Sequence, residues 1–202
     1  LLNAILGRAQ RACCPEVAEV MDALPDAATD LEDRFVDMFR SEWQLVRGDV
    51  PLRNIAIVDE APQGQYLLPE FLLFQRLFER HGIAARICDP GELINSATGL
   101  SLHGQPIDLV YNRLTDFAFE AASSAALRNA WLDGSAVITP HPRAHALYAD
   151  KRNLVLLSDS AALRRLGVDE ATIAILREGV PNTEAVSPAH ADDLWARRRQ
   201  LF

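Results

Sequence analysis

Lysine is nearly missing from this sequence: Lys151 stands alone, and every other member of the 20 basic side chains is an arginine. Chemistry that needs a compact ammonium therefore has one candidate, while rigid guanidinium forks are plentiful. Cysteine is scarce as well. Cys13, Cys14 and Cys88 are too few for a disulfide framework, and an adjacent pair plus a distant single lacks zinc-site spacing, so they are read as reduced and structural. No uncharged apolar run approaches the roughly 18 residues needed to span a bilayer, and the basic-then-apolar pattern of a signal peptide is absent from the N-terminus. These absences point to a soluble, cytoplasmic protein. No segment recurs at a fixed period, which excludes a repeat array.

What is present is ordinary globular material. Hydrophobic residues at 49% and charged residues at 24% over 202 positions suit one core, or one domain with a helical extension. The 28 acidic side chains outnumber the basic ones and give a net charge of -8, so the surface repels phosphate backbones and anionic lipid. Neither nucleic acid nor a membrane is an expected partner. The sequence begins without Met and stops at Leu201-Phe202, straight after Arg197, Arg198 and Arg199, which reads as a piece of something longer.

Between Asp30 and Arg47, apolar residues Leu31, Phe35, Met38, Phe39, Leu45 and Val46 recur at three-to-four spacing, predicting an amphipathic helix capped by Thr29 or Asp30 and stopped at Gly48. A weaker helix is predicted over Pro15 to Leu24. From Pro51 the pattern changes to short continuous apolar runs alternating with helical ones. Strands are predicted at Asn54–Val58, Ala84–Cys88, Asp108–Tyr111 and Ala136–Ile138. Helices are predicted over Leu68–Arg80, with Phe71, Leu72, Phe74, Leu77 and Phe78 inward, and over Asp116–Leu132. A small hairpin is predicted around Leu100–Gln105. This alternation implies an α/β fold with a doubly wound, mainly parallel sheet, an N-terminal helical extension and a C-terminal helical segment. The expected divisions are residues 1–50, 51–145 and 146–202.

Such a sheet places ligands outside the carboxyl ends of its strands. There the sequence puts Asp59, Glu60, Gln63, Gly64, Gln65 and Tyr66, then Asp89, then Asn112 and Arg113, then Thr139, His141 and Arg143. The stretch after the first strand offers one glycine where a dinucleotide loop needs three, so NAD and FAD are not expected, and no Walker-type loop is present. His141 and His145 have the spacing of ligands on one helical face, but Pro140 and Pro142 argue against a helix there, and no metal site is expected. Adjacent Asp59 and Glu60 have the chemistry to hold Mg²⁺. With Thr139 and Lys151 they are similar to part of a receiver domain, although Asn112 stands where such a domain needs a phosphorylatable aspartate. Arg113, directly after a buried strand, suits a substrate carboxylate or phosphate, and equally suits a salt bridge to Asp59, Glu60 or Asp116.

Four segments in order, Ile107-Asp108-Leu109-Val110-Tyr111-Asn112-Arg113, Val137-Ile138-Thr139-Pro140, Ala149-Asp150-Lys151-Arg152-Asn153 and Gly179-Val180-Pro181-Asn182-Thr183, resemble the front portion of ATP-grasp ligases, in the group around glutathionylspermidine synthase. The resemblance covers roughly Asn54 to Phe202. It implies a Rossmann-like preATP-grasp domain, then an Asp-Lys pair opening a helix, a Val-Pro-x-Thr turn and the start of the ATP-binding sheet. It also implies a whole protein that activates a small-molecule or peptide carboxylate with Mg-ATP for attack by an amine. The implied substrate contacts are Gln63, Gly64, Gln65, Tyr66, Asn112, Arg113 and His141, and Lys151 is the implied contact to the ATP phosphates. The family's glycine-rich covering loop, second lysine and Mg²⁺-holding residues are not in the sequence. ATP and Mg²⁺ thus belong to the longer parent, and these residues alone are expected neither to hold them well nor to turn over. A binding or regulatory module that never had a ligase half is the alternative, and oligomeric state is left open.

Overall fold

A computed structural model describes residues 1–23 and 31–201 of the chain. Thr29 and Asp30, the expected caps, lie outside the described residues, as does Leu24. Two compact units emerge, residues 1–143 and 144–202.

The first unit opens with α1 (Leu2–Cys13), α2 (Pro15–Asp22) and α3 (Leu31–Arg47). Then come β1 (Asn54–Val58), α4 (Leu68–Arg80), β2 (Ala84–Cys88), β3 (Leu93–Ser96), β4 (Gly99–Leu102), β5 (Gln105–Pro106), β6 (Leu109–Asn112), α5 (Ala125–Asp133) and β7 (Val137–Thr139). The sheet has the order β2-β1-β6-β7, and all of its pairings are parallel. The fold is therefore α/β around a four-stranded parallel sheet. A second, antiparallel sheet of order β3-β4-β5 enlarges the expected hairpin by one strand.

Both faces of the parallel sheet are buried, which is why its strands read as continuous apolar runs. Successive side chains alternate between the faces. Ile55 and Ile57 of β1 and Leu109 of β6 pack with Val36, Phe39, Phe71, Phe74 and Phe78 of α3 and α4. Ala56, Val58 and Val110 point the other way, into a core with Leu100, Leu102, Leu127 and Ala130. The carboxylate of Asp108 fastens the start of the sheet, its Oδ2 accepting the backbone N–H groups of Arg53 at 3.0 Å and Asn54 at 2.8 Å.

Glycine ends both long helices as expected. Gly48 lies at φ +60 with its N–H on the Gln44 carbonyl, and Gly82 at φ +75, so a Cβ would strain either turn. The buried face of α3 is rotated from expectation: Val36, Phe39 and Trp43, spaced by three and four, are buried, whereas Leu31, Met38, Leu45 and Val46 are exposed. Leu72 of α4 is likewise exposed rather than inward. The helix expected from Asp116 begins only at Ala125. Asp116 itself prevents the earlier start, because its carboxylate takes the N–H groups of Glu120 at 2.9 Å and Ala121 at 3.0 Å, and Phe119 between them lies at φ 55.

The second unit is helical: α6 (Pro142–Tyr148) leads into it, followed by α7 (Asn153–Ser158), α8 (Ser160–Arg165), α9 (Glu170–Gly179) and α10 (Ala191–Ala196). Asp159 caps α8 and Asp169 caps α9 through backbone N–H groups. Ala162, Leu163 and Ile173 are its buried apolar residues among those described. After Thr183 the described chain runs without pairing as a strand and turns into α10. Among the described residues, no helix is long and apolar enough to cross a membrane.

Candidate functional site

Parallel registry brings the carboxyl ends of β1, β2 and β6 to one edge, with Val58 opposite both Cys88 and Asn112. The ladder continues one step further, since the Arg113 N–H donates to the Val58 carbonyl at 2.9 Å and the Asp59 N–H to the Cys88 carbonyl at 3.3 Å. From β1 the chain moves outward to β2, then returns past β1 to β6 and β7. Strand order thus reverses between β1 and β6, and Asp59 and Arg113 lie on either side of that line.

Arg113 is half-buried. Its Nη1 donates to the Tyr111 hydroxyl at 3.3 Å, and its guanidinium carbon lies 5.4 Å from the centre of the Tyr111 ring. Among the described residues no carboxylate forms an ion pair with it, so the salt bridges to Asp59, Glu60 or Asp116 are not made. Tyr111 is fixed in turn by edge contacts from Phe39 at 4.9 Å and Phe74 at 5.1 Å. Burial pushes the Tyr111 hydroxyl above its ordinary pKa, against the pull of Arg113. Asp59 is also raised, chiefly by burial, with the Glu60 N–H and the Arg113 charge acting in the opposite direction. The result is a guanidinium on a rigid aromatic base, without an ion-pair partner among the described residues, near a carboxyl whose pKa burial raises.

The loop after β1 leaves from the same edge. Ala61 sits in the left-handed region at φ 40, and its N–H is held by Asp89 Oδ2 at 2.9 Å; the other oxygen of Asp89 takes the Gly91 N–H at 2.8 Å. Asp89 is thereby a loop clamp joining the exits of β1 and β2. Gln65 donates from Nε2 to the Glu60 carbonyl at 2.7 Å, while Gln63 and Gly64 are exposed and Tyr66 is 94% exposed. Gln63 and Tyr66 thus offer an amide and a hydroxyl to solvent in the loop that leaves from the edge where Arg113 stands.

Asn112 points to the opposite face. It is 2% exposed, its Oδ1 accepts the Leu114 N–H at 3.1 Å, and its Nδ2 has no partner among the described residues. The structure therefore separates the side chains of Asn112 and Arg113 despite their adjacency, as period-two alternation requires. His141 follows the cis Thr139–Pro140 peptide and precedes α6. Its Nε2 lies 3.2 Å from Trp131 Nε1 and its Nδ1 3.2 Å from the Arg143 N–H. Both neighbours are donors, and a neutral imidazole has one acceptor nitrogen, so it satisfies one of them at a time. Because Trp131 packs on the core opposite Tyr111, the His141 ring is not gathered with Arg113.

Lys151 belongs to the second unit. It is exposed and, among the described residues, has no side-chain partner, whereas its neighbour Asp150 is paired with Arg152. That hydrogen bond and charge hold the Asp150 carboxyl below the usual range. Thr183 donates from its backbone N–H to Ser158 Oγ at 3.1 Å and from Oγ1 to the Pro181 carbonyl at 2.9 Å, closing the Val180–Thr183 turn onto α7. Among the described residues no group of three or more His, Cys, Asp or Glu side chains is placed to hold a metal ion.

Tyr111 is the residue that inspection of strand ends passes over. The signal was available, since residues 111 and 113 share a face by alternation and an aromatic two positions before an arginine can carry it. No protein-family model matches this chain, and no curated protein matches it.

Proposed function

We propose that the first unit is a doubly wound, Rossmann-like substrate-binding domain of preATP-grasp type, belonging to a cytoplasmic ATP-dependent carboxylate–amine ligase. The observation that carries this reading is Arg113: a half-buried guanidinium without an ion-paired carboxylate among the described residues, seated on Tyr111 where strand order reverses. An arginine left uncancelled at such a place is suited to a planar anion, and a carboxylate meets its fork with two hydrogen bonds. Exposed Gln63 supplies a neutral donor and acceptor for the rest of a peptide or amino acid, half-buried Gln65 keeps its amide oxygen for the same use, and exposed Tyr66 supplies an aromatic surface.

Lys151, exposed and without a side-chain partner among the described residues, fits a contact to nucleotide phosphates. ATP with Mg²⁺ would supply the driving force for joining acid to amine. The chain's own residues bind and orient the acid, and the described residues contain no acidic cluster fitted to Mg²⁺. The competing reading is a non-catalytic binding module, favoured by the turn into α10 after Thr183, where the resemblance implies a strand.

Calorimetry with amino acids and short peptides, with and without Mg-ATP, tests both readings. The ligase reading expects an acid to bind through Arg113 and Mg-ATP to bind through Lys151. Acid binding without any nucleotide response supports the module, and no response to any acid removes both.

A further inference from the structure

Cys13 and Cys14 do not serve the packing role expected of them: Cys88 is buried, but both members of the adjacent pair are exposed free thiols. Cys13 ends α1, and Cys14 is the single residue between α1 and α2, with an extended backbone at φ -125 and ψ 107. The Cys14 N–H donates to the Gln10 carbonyl at 2.9 Å and its carbonyl accepts the Ala18 N–H at 3.0 Å. The Arg11–Asp22 ion pair closes the same bend. The backbone that carries the two exposed thiols is thus a fixed corner, and neither thiol has a polar partner among the described residues.

Their backbone disfavours a direct S–S bond. The peptide between them is trans, because Thr139–Pro140 is the cis bond of the described chain. A trans peptide sets the Cα atoms about 3.8 Å apart, below the roughly 4.4 Å at which disulfide geometry begins. A bridging ion relaxes that limit: two metal–sulfur bonds of about 2.3 Å span a sulfur separation of up to about 4.6 Å. Among the described residues the pair belongs to no larger group of potential ligands, so a tetrahedral zinc site is not built here. Soft sulfur ligands in low number select a soft ion of low coordination.

We propose that Cys13 and Cys14 form a two-thiolate chelate for a soft, two-coordinate cation of the monovalent-copper class. Each thiol releases its proton to solvent, and Cu⁺ with two thiolates leaves a singly negative complex and two protons, with no change in oxidation state. Affinity should therefore weaken as pH falls.

The test is anaerobic titration of the chain with Cu⁺ against a chromophoric copper chelator. One equivalent per chain should be withdrawn. Cys13→Ser and Cys14→Ser should each lower affinity about 100-fold or more, since either change removes ring closure, while Cys88→Ser should leave it unaltered. Retention of tight binding by either single variant would overturn the proposal. So would dependence on Cys88, one copper shared between two chains on size exclusion, or zinc binding of equal strength.

Discussion

The guanidinium of Arg113 rests on the ring of Tyr111 and donates to its hydroxyl at 3.3 Å, so an aromatic side chain, and not an acid, holds this charge at the end of β6. An ion pair would have cancelled the positive potential. A ring quadrupole steadies the cation at about 0.5–1 kcal/mol and leaves its charge available to a ligand.

Replacing Arg113 with Ala should accordingly lower affinity for a carboxylate ligand about tenfold or more, the value of a charge-assisted hydrogen bond. Stability should change by no more than about 1 kcal/mol. Calorimetry and thermal unfolding of the same samples check both halves, and a collapse of the fold would assign Arg113 a structural role.

Phe39 and Met38 adjoin in α3 yet should behave oppositely. Phe39 is 1% exposed and edges against Phe74, Phe78 and Tyr111, so Phe39→Ala should cost about 3–5 kcal/mol in urea unfolding. Met38 is 47% exposed, and Met38→Ala should stay within about 0.5 kcal/mol.

Asp108 satisfies two backbone donors where β1 begins. Asp108→Ala should cost about 1 kcal/mol, the net value of a hydrogen bond whose freed donors water can partly reach, and hydrogen exchange should quicken first at Asn54. Asp108→Asn, which keeps an acceptor oxygen, should recover part of the loss.

Burial, with lesser help from Glu92 and Asp89, pushes the Cys88 thiol up to about 12 from an ordinary 9.0. The folded chain then holds this proton to higher pH than the unfolded chain. The stability contributed is complete below about 9 and is lost as pH rises towards 12, with a slope of at most about 1.4 kcal/mol per pH unit. Tyr111 is displaced in the same direction. Comparing urea unfolding of the chain and of Cys88→Ala from pH 8 to 10.5 isolates the thiol, and an equal slope in both would refute its role.

Lys151→Ala should leave the melting temperature unaltered, because the side chain is exposed and has no partner among the described residues. Nucleotide affinity of the chain should fall if the proposed phosphate contact is made, which fluorescence titration with a labelled ATP measures. An unchanged affinity would make the Asp150-Lys151 pair an ordinary helix entry.

Much of this architecture was legible because burial on both faces writes itself into sequence as unbroken apolar runs. β1, α4 and β2 fall on their expected residues, and β6 and β7 each lie one residue further along. β3 was not legible: Leu93-Ile94-Asn95-Ser96 is short and half polar, and it pairs only with the neighbouring β4. The face that α3 buries was also obscure, since six apolar residues competed for a surface that α4 settles through Phe39 and Phe74. At the candidate site, the gathering of Asp59 and Arg113 follows from parallel registry. The seating of Arg113 on Tyr111 and the turning of Asn112 to the other face depend on alternation past the strand end, which carries no mark of its own in the sequence.

β1 feeds bulky Ile55 and Ile57 to one core and slender Ala56 and Val58 to the other. Deleting or inserting a single residue there would exchange the two sets, overfilling one side of the molecule and hollowing the other. That strand therefore tolerates no change in length, and the loop beginning at Asp59 is where variation in length can be absorbed.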